Sequence, residues 1–196
     1  SSWLPKWTSS DPILDSDDIR VFIPDPTNPG KAWIGGDFGV SQINLRTATQ
    51  EKEWSVNWRG QQSIDNRVVF LSIANGIAYI GYDWYQQSGR YVDRVDINSE
   101  TALSRIDAGS YWGNGHSVRH FGLIDDDLWI GVAFSNGDGG GILKWDTVSS
   151  TLSEQINASG NQGEVKLVTM PNNEIIISYR DHIHQHIDSN GSIIAQ

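Results

Sequence analysis

Four times along the chain an aromatic or aliphatic residue is followed by Ile and then by Gly or Ser: Trp33-Ile34-Gly35, Tyr79-Ile80-Gly81, Trp129-Ile130-Gly131 and Ile176-Ile177-Ser178. The spacings are 46, 50 and 47 residues. Self-similarity at a fixed period of about 40–50 residues marks a repeat architecture, and that unit length suits a four-stranded propeller blade. The expected fold is therefore all-β, a β-propeller with four blades of four antiparallel strands each.

The units align strand by strand. A first strand holds Ile19-Arg20-Val21-Phe22, Val68-Val69-Phe70-Leu71, Val118-Arg119-His120-Phe121 and Val165-Lys166-Leu167-Val168. Turn formers follow: Asp25 to Gly30, Asn75-Gly76, Asp125-Asp126-Asp127 and Pro171-Asn172-Asn173. Gly and Asn tolerate positive φ and Pro fixes its own, which is why they punctuate strands. The second strand carries the repeated signature. A third ends on an Asx residue with a small polar residue after it (Asn44, Asp96, Asp146, Asp188), a pattern that closes hairpins through side chain to backbone bonds. A fourth strand completes each unit, and no helical periodicity is sustained. These boundaries predict blades at about 17–58, 66–109, 116–159 and 163–196 after a leading segment 1–16.

One domain is expected from 196 residues, and nine Trp with six Tyr supply large rings for the spaces between blades. A net charge of −10 disfavours nucleic acid and anionic membrane surfaces as partners. Without Cys there is no disulfide framework and no thiolate metal site. No apolar run approaches the ~18 residues a membrane helix needs, so no membrane insertion is expected. The chain opens on no charged-then-apolar leader, although a removed signal peptide is compatible with this. An extracellular or periplasmic setting is weakly favoured, with a cytoplasmic one left open.

Asp17-Asp18-Ile19 before an apolar strand, a Pro/Asn/Gly turn, Trp33-Ile34-Gly35-Gly36 and then Gly39-Val40 resembles the propeller repeat of the periplasmic sensor portions of two-component regulators. It is similar more widely to PQQ-like and WD40-like repeats, over nearly the whole chain from about Asp17 to Ile194. Trp145-Asp146 falls on a third strand and is not a WD40 signature. The resemblance implies an architecture and a habit of binding, without fixing a ligand. Four units leave three closures open: a single-chain four-bladed ring, two chains forming an eight-bladed ring as a homodimer, or part of a longer propeller with further blades.

Strand alternation gathers the second-to-third loops and the blade-to-blade connectors at one end of the ring. There the second unit is enlarged by Asp83-Trp84-Tyr85-Gln86-Gln87-Ser88-Gly89, and the third by Phe134 to Gly140 with Asn136 and Asp138. The connectors contribute Trp58, Arg59, Trp112, Asn114 and His116. Loops bearing aromatics beyond what a turn requires are where rigid scaffolds place function. The candidate ligand-binding residues are thus Trp58, Arg59, Trp84, Tyr85, Trp112, Asn114, His116, Asn136 and Asp138. Trp58 and Trp112 are equally readable as plugs between blades. Arg20, Arg119 and Lys166 align in three innermost strands and are candidates to line a central channel as a positive ring; pairing with acids such as Asp18 or Glu164 is the alternative.

His182, His184 and His186 alternate on one strand face, but same-face neighbours nearly 7 Å apart do not readily chelate one ion. His184 aligns with Val40, Val92 and Ile142, and His186 with Gln42, Arg94 and Lys144, which reads as a structural or solvated role. His120 falls at a core or channel position. Asp125-Asp126-Asp127 reads as a solvated turn. No metal site, cofactor or catalytic residue set is assigned. The expected function is a noncatalytic recognition or scaffold module for a glycan, peptide or protein partner, and the alternative is a propeller lyase or hydrolase using His116 and a nearby acid.

Overall fold

The computed structural model describes residues 19–37, 39–55, 67–82, 89–111, 116–125, 127–134, 140–157, 166–169, 174–178, 184–188 and 192–195. They form four antiparallel sheets, each from one continuous stretch of chain and each in sequence order. The first contains β1 (Ile19–Pro24), β2 (Lys31–Gly36), β3 (Gly39–Asn44) and β4 (Thr49–Ser55). The second contains β5 (Val68–Ala74), β6 (Ile77–Tyr82), β7 (Val92–Asp96) and β8 (Thr101–Ala102). Its outer strand is a two-residue remnant, continued by a bridge between Val92 and Ile106 and a 3-10 turn at Ala108–Ser110, so the four-by-four plan holds only in part. The third contains β9 (His116–Ile124), β10 (Asp127–Phe134), β11 (Gly140–Asp146) and β12 (Thr151–Asn157), and the fourth β13 (Lys166–Thr169), β14 (Ile175–Ser178), β15 (His184–Ile187) and β16 (Ile193–Ala195). No α-helix occurs among the described residues, and none there is long and apolar enough to cross a membrane.

Successive sheets pack through their first strands: β1 lies against β5, β5 against β9 and β9 against β13. The core accordingly sits between sheets. Trp33, Val40 and Trp54 of the first sheet meet Val68, Leu71, Ile73 and Ile80 of the second. Tyr79, Val92 and Ile106 of the second meet Val118, Phe121, Ile130 and Leu143 of the third.

This packing explains the repeated signature. A Cβ built on Gly35 would come within 2.6 Å of Val68 Cγ1 and 2.7 Å of Val21 Cγ1, and one on Gly81 within 2.5 Å of Phe121 Cε1. The third position of the signature is small because the next sheet's first strand occupies the space a side chain would need. The preceding ring fills the core: Trp33, Tyr79 and Trp129 are among the largest fully buried side chains.

The hairpins are equally regular. Asn75 and Gly76 both have positive φ, as a two-residue turn compatible with strand twist requires. Between third and fourth strands, Asn44, Asp96 and Asp146 each accept two backbone N–H bonds from the residues two and three ahead, at 2.8–3.2 Å. The N–H bonds of Ser99 and Ser149, the largest contribution in each case, hold the Asp96 and Asp146 carboxyls below their usual range. A hydroxyl pair then clasps each turn: Thr47 with Thr49, Ser99 with Thr101 and Ser149 with Thr151.

Each of these loops ends on a non-glycine residue with positive φ: Ala48 (56°), Glu100 (58°) and Ser150 (55°). Left-handed backbone costs a residue with a Cβ roughly 1–2 kcal/mol, part of which glycine's greater unfolded freedom cancels. Ala48→Gly and Ser150→Gly are therefore each expected to stabilise the fold by about 0.5–1 kcal/mol, read as a higher urea midpoint at unchanged slope. An unmoved or lowered midpoint in both variants refutes that assignment of strain.

Candidate ligand-binding face

Two polar clusters mark the end of the sheets where β2 turns into β3 and β6 leads into β7. In the first, Asp37 accepts a bond from Arg20 Nε at 3.1 Å and has Arg67 Nε at 3.6 Å. Arg20 begins the first sheet and Arg67 immediately precedes β5, so one carboxylate links the entries of two sheets. All three groups are partly exposed, which keeps each pair within about 1 kcal/mol.

The second cluster is better buried. Asp93 on β7 accepts from Tyr82 Oη at 2.7 Å and takes both arms of Arg105, Nε at 2.6 Å and a terminal nitrogen at 3.3 Å. Burial works against the Arg105 charge, but the Asp93 hydrogen bonds and field outweigh it and raise the guanidinium further above its ordinary value. The same guanidinium lies 5.0 Å from the centre of the Tyr91 ring, and that of Arg90 lies 5.2 Å from it. Arg90 in turn grips Asp107 through two bonds of 3.1 and 3.2 Å. A two-armed guanidinium–carboxylate pair fixes orientation as well as distance, so Tyr91 is held in one place between two braced cations.

This platform stands at both feet of the segment 83–88. Tyr82 is the last residue before it, and Arg90 and Tyr91 come just after its return. Trp84 and Tyr85 themselves lie outside the described residues, as do Trp58, Arg59, Trp112, Asn114, Asn136 and Asp138. His116 is the first residue of β9, opposite Phe134 at the end of β10. That pairing brings the roots of segments 112–115 and 135–139 together at the edge of the third sheet, beside the exposed Tyr111.

The channel set is only partly aligned as expected. Arg20 and Arg119 are each the extra residue of a β-bulge in the first strand, and Val69 occupies the same place in the second sheet. Lys166 does not match them. It pairs with Ser178, as Val21 pairs with Gly35, Phe70 with Gly81 and His120 with Gly131, so its register is that of Val21, Phe70 and His120. The extra residue of the bulge sets the ungapped sequence alignment of the fourth unit off by one. Arg20 is bonded to Asp37, and Asp18 and Glu164 lie outside the described residues.

His184 and His186 take the registers expected of them, opposite Ser178 and Ile176. His186 Nε2 lies 2.5 Å from Glu174 Oε2. Lys144 with Asp127 (2.6 Å), and Gln42 with Asp25 (2.6 Å), occupy comparable places in other sheets. His182 lies outside the described residues, and no group of metal-ligating side chains occurs among those described. His120 is half-buried with its ring edge-on to Phe70 at 5.1 Å, a packing role. Asp127 departs from the expected solvated turn: besides Lys144 it accepts the Thr147 N–H. Sequence reading passed over Arg90, Tyr91, Asp93, Arg105 and Asp107. Their signal was charged residues recurring along a stretch whose neighbours are core.

No protein-family model matches the chain, and no curated protein matches it. Solved structures do. The extracellular domain of the hybrid two-component system BT3049 of B. thetaiotaomicron is 13% identical with a TM-score of 0.66, over 96% of this chain and 23% of that one. That of the hybrid two-component system BT4673 of B. thetaiotaomicron is 18% identical with a TM-score of 0.62, over 90% of this chain and 21% of that one. Kuenenia stuttgartiensis hydrazine synthase is 13% identical with a TM-score of 0.59, over 78% of this chain and 42% of that one. The chain thus spans under half the length of these proteins. Identities this low speak for a shared propeller-like fold alone.

Proposed function

We propose that the protein is a noncatalytic recognition module, four blades of a β-propeller that hold a glycan, peptide or protein partner on the end where segments 56–66, 83–88, 112–115 and 135–139 emerge. The observation that carries this reading is the braced cluster of Tyr82, Asp93, Arg105, Tyr91, Arg90 and Asp107 at the residues that flank segment 83–88. A surface loop contributes binding energy only insofar as its ordering cost is met in advance, and rigid feet meet it. Two of the similar structures are extracellular domains of two-component systems, a setting suited to binding without turnover, and this supports the same reading, with an extracellular or periplasmic location, for this chain.

The test is a panel of defined oligosaccharides and peptides probed with the wild type and with Trp84→Ala/Tyr85→Ala. The double variant is expected to lose at least tenfold in affinity for any probe that binds, while its melting temperature stays within about 2 °C. Binding that survives the double substitution, or a melting temperature lower by many degrees, overturns the assignment of this face.

A further inference from the structure

The residue that pairs across the ladder with the first member of the repeated signature is polar in all four sheets: Gln42 with Trp33, Arg94 with Tyr79, Lys144 with Trp129 and His186 with Ile176. In three of them a carboxylate of the same sheet meets it. Asp25 lies 2.6 Å from Gln42 Nε2, Asp127 2.6 Å from Lys144 Nζ and Glu174 2.5 Å from His186 Nε2. Asp127 and Glu174 stand two residues before the signature, and Asp25 reaches over from the turn after β1. The second sheet departs from this plan. Ile77 holds the place two residues before Tyr79, and the turn ahead of it is Asn75-Gly76, which carries no acid.

Arg94, a cation at every physiological pH, thus lacks the acid that its counterparts have. It is only 7% exposed, and no carboxylate among the described residues lies within ion-pair distance of it. Its Nη1 donates a long bond of 3.4 Å to Ser104 Oγ, and its guanidinium carbon lies 5.0 Å from the centre of the Trp145 ring. Arg94 Nε and Trp145 Nε1 are both buried donors without an acceptor. An aromatic ring attracts a guanidinium through its face, but the N–H groups lie in the guanidinium plane, so stacking leaves them to be satisfied by something else. A buried charge without a partner opposes folding. Ser104 is exposed and β8 ends at Ala102, so the Nη1 end of the fork reaches the outer rim of the junction between the second and third sheets.

We propose that Arg94 receives the carboxylate of a ligand that enters at the rim beside Ser104 and does there what Asp127 and Glu174 do from within their own sheets. The group is a carboxylate on a slim, unbranched stem, since it must reach a donor that is almost wholly buried. A small organic acid or the acidic side chain of a peptide supplies it. The fork offers such a group two parallel donors, and Trp145 fixes its plane. This site is separate from the loop-bearing end and does not rest on the reading of that end.

Replacing chloride by acetate at constant ionic strength is expected to raise the melting temperature of the wild type by about 2 °C or more at about 50 mM, whereas acetamide leaves it unchanged. Arg94→Met keeps an apolar stem over Trp145 without the fork and should abolish the response, while Arg46→Met, at an exposed turn, should retain it. The peptide acetyl-Gly-Glu-Gly-amide, set against its Gln counterpart, separates the two sources. A rise at lower concentration than acetate needs assigns an acidic side chain, and a rise with acetate alone assigns a small acid. Ile77→Glu, which restores an acid within the sheet, should remove the acetate response and be better tolerated in the wild type than in Arg94→Met. A wild type that responds to neither acetate nor the Glu peptide overturns the proposal, as does a response that survives Arg94→Met. An Ile77→Glu effect equal in both backgrounds also overturns it, because Arg94 would then accept no carboxylate from that side.

Discussion

Gly81→Val is expected to lower stability by about 3 kcal/mol or more, as a fall in melting temperature of roughly 6–12 °C for a domain of this size. A Cβ at this position meets Phe121 Cε1 at 2.5 Å, Phe70 Cδ2 at 3.0 Å and Phe70 Cβ at 3.1 Å. None of these atoms is the free end of a flexible chain. Phe121 is buried in the core between the second and third sheets, and Phe70 packs on it with ring centres 5.7 Å apart. Room for an isopropyl group has to come from separating the sheets, which removes contacts along the whole junction. Gly30→Ala is the control, because nothing lies within 4 Å of a Cβ there and the change should fall within about 0.5 kcal/mol. Calorimetry on both variants decides the matter. A Gly81→Val loss no larger than that of the control would mean the repeated glycine is not a packing requirement.

Asp25→Ala is expected to cost about 3 kcal/mol, through the donors it abandons rather than the carboxylate it removes. The buried Asp25 accepts the Thr27 N–H and hydroxyl at 2.8 Å, Trp33 Nε1 at 2.9 Å and Gln42 Nε2 at 2.6 Å. Trp33 and Gln42 are themselves buried, so their donors would be left without water or acceptor. Trp33 also stacks on Trp54 at 5.0 Å between ring centres, so a tilt of its indole would spread into the first junction. The pH dependence follows in sign. Burial alone would raise the Asp25 pKa, but its four hydrogen bonds outweigh that and lower it. A carboxylate with a lowered folded pKa contributes stability that is fully present above its unfolded value, near 3.9, and is lost as pH falls through the folded value. Denaturant midpoints from pH 7 down to pH 2 should therefore show the wild type and Asp25→Ala far apart at neutral pH and converging in acid. A gap that stays constant throughout would remove the charge from the explanation.

The sequence showed most clearly those features that every junction or turn needs separately. The small residue at positions 35 and 81 is required because a following strand packs there, and a small residue recurs at 131 and 178 with a visible period. Asn44, Asp96 and Asp146 recur because each must satisfy two turn amides with its own side chain. The bulge is different. It adds one residue to a strand without demanding any residue type, since Arg20, Val69 and Arg119 all serve, and so the fourth unit aligned one position away from its true register at Lys166. The platform around Tyr91 was hidden for another reason. Its carboxylates and guanidiniums are 12 and 17 residues apart, and they meet only once residues 103–106 fold back along β7, which sets Arg105 beside Asp93 next to the bridge between Val92 and Ile106. Candidates on the connecting loops could be placed on one end of the molecule by strand alternation, but side-chain contacts there depend on loop conformations that no periodic pattern encodes.

Each sheet is drawn from a single uninterrupted run of residues, and among the described strands none is lent to a neighbour. Gene duplication or deletion of one such run therefore adds or removes a complete ladder of hydrogen bonds without rewiring any that remain. For a molecule assembled this way, size is a quantity that recombination changes in whole steps, and the only places at which each step must be repaired are the two faces it newly brings together.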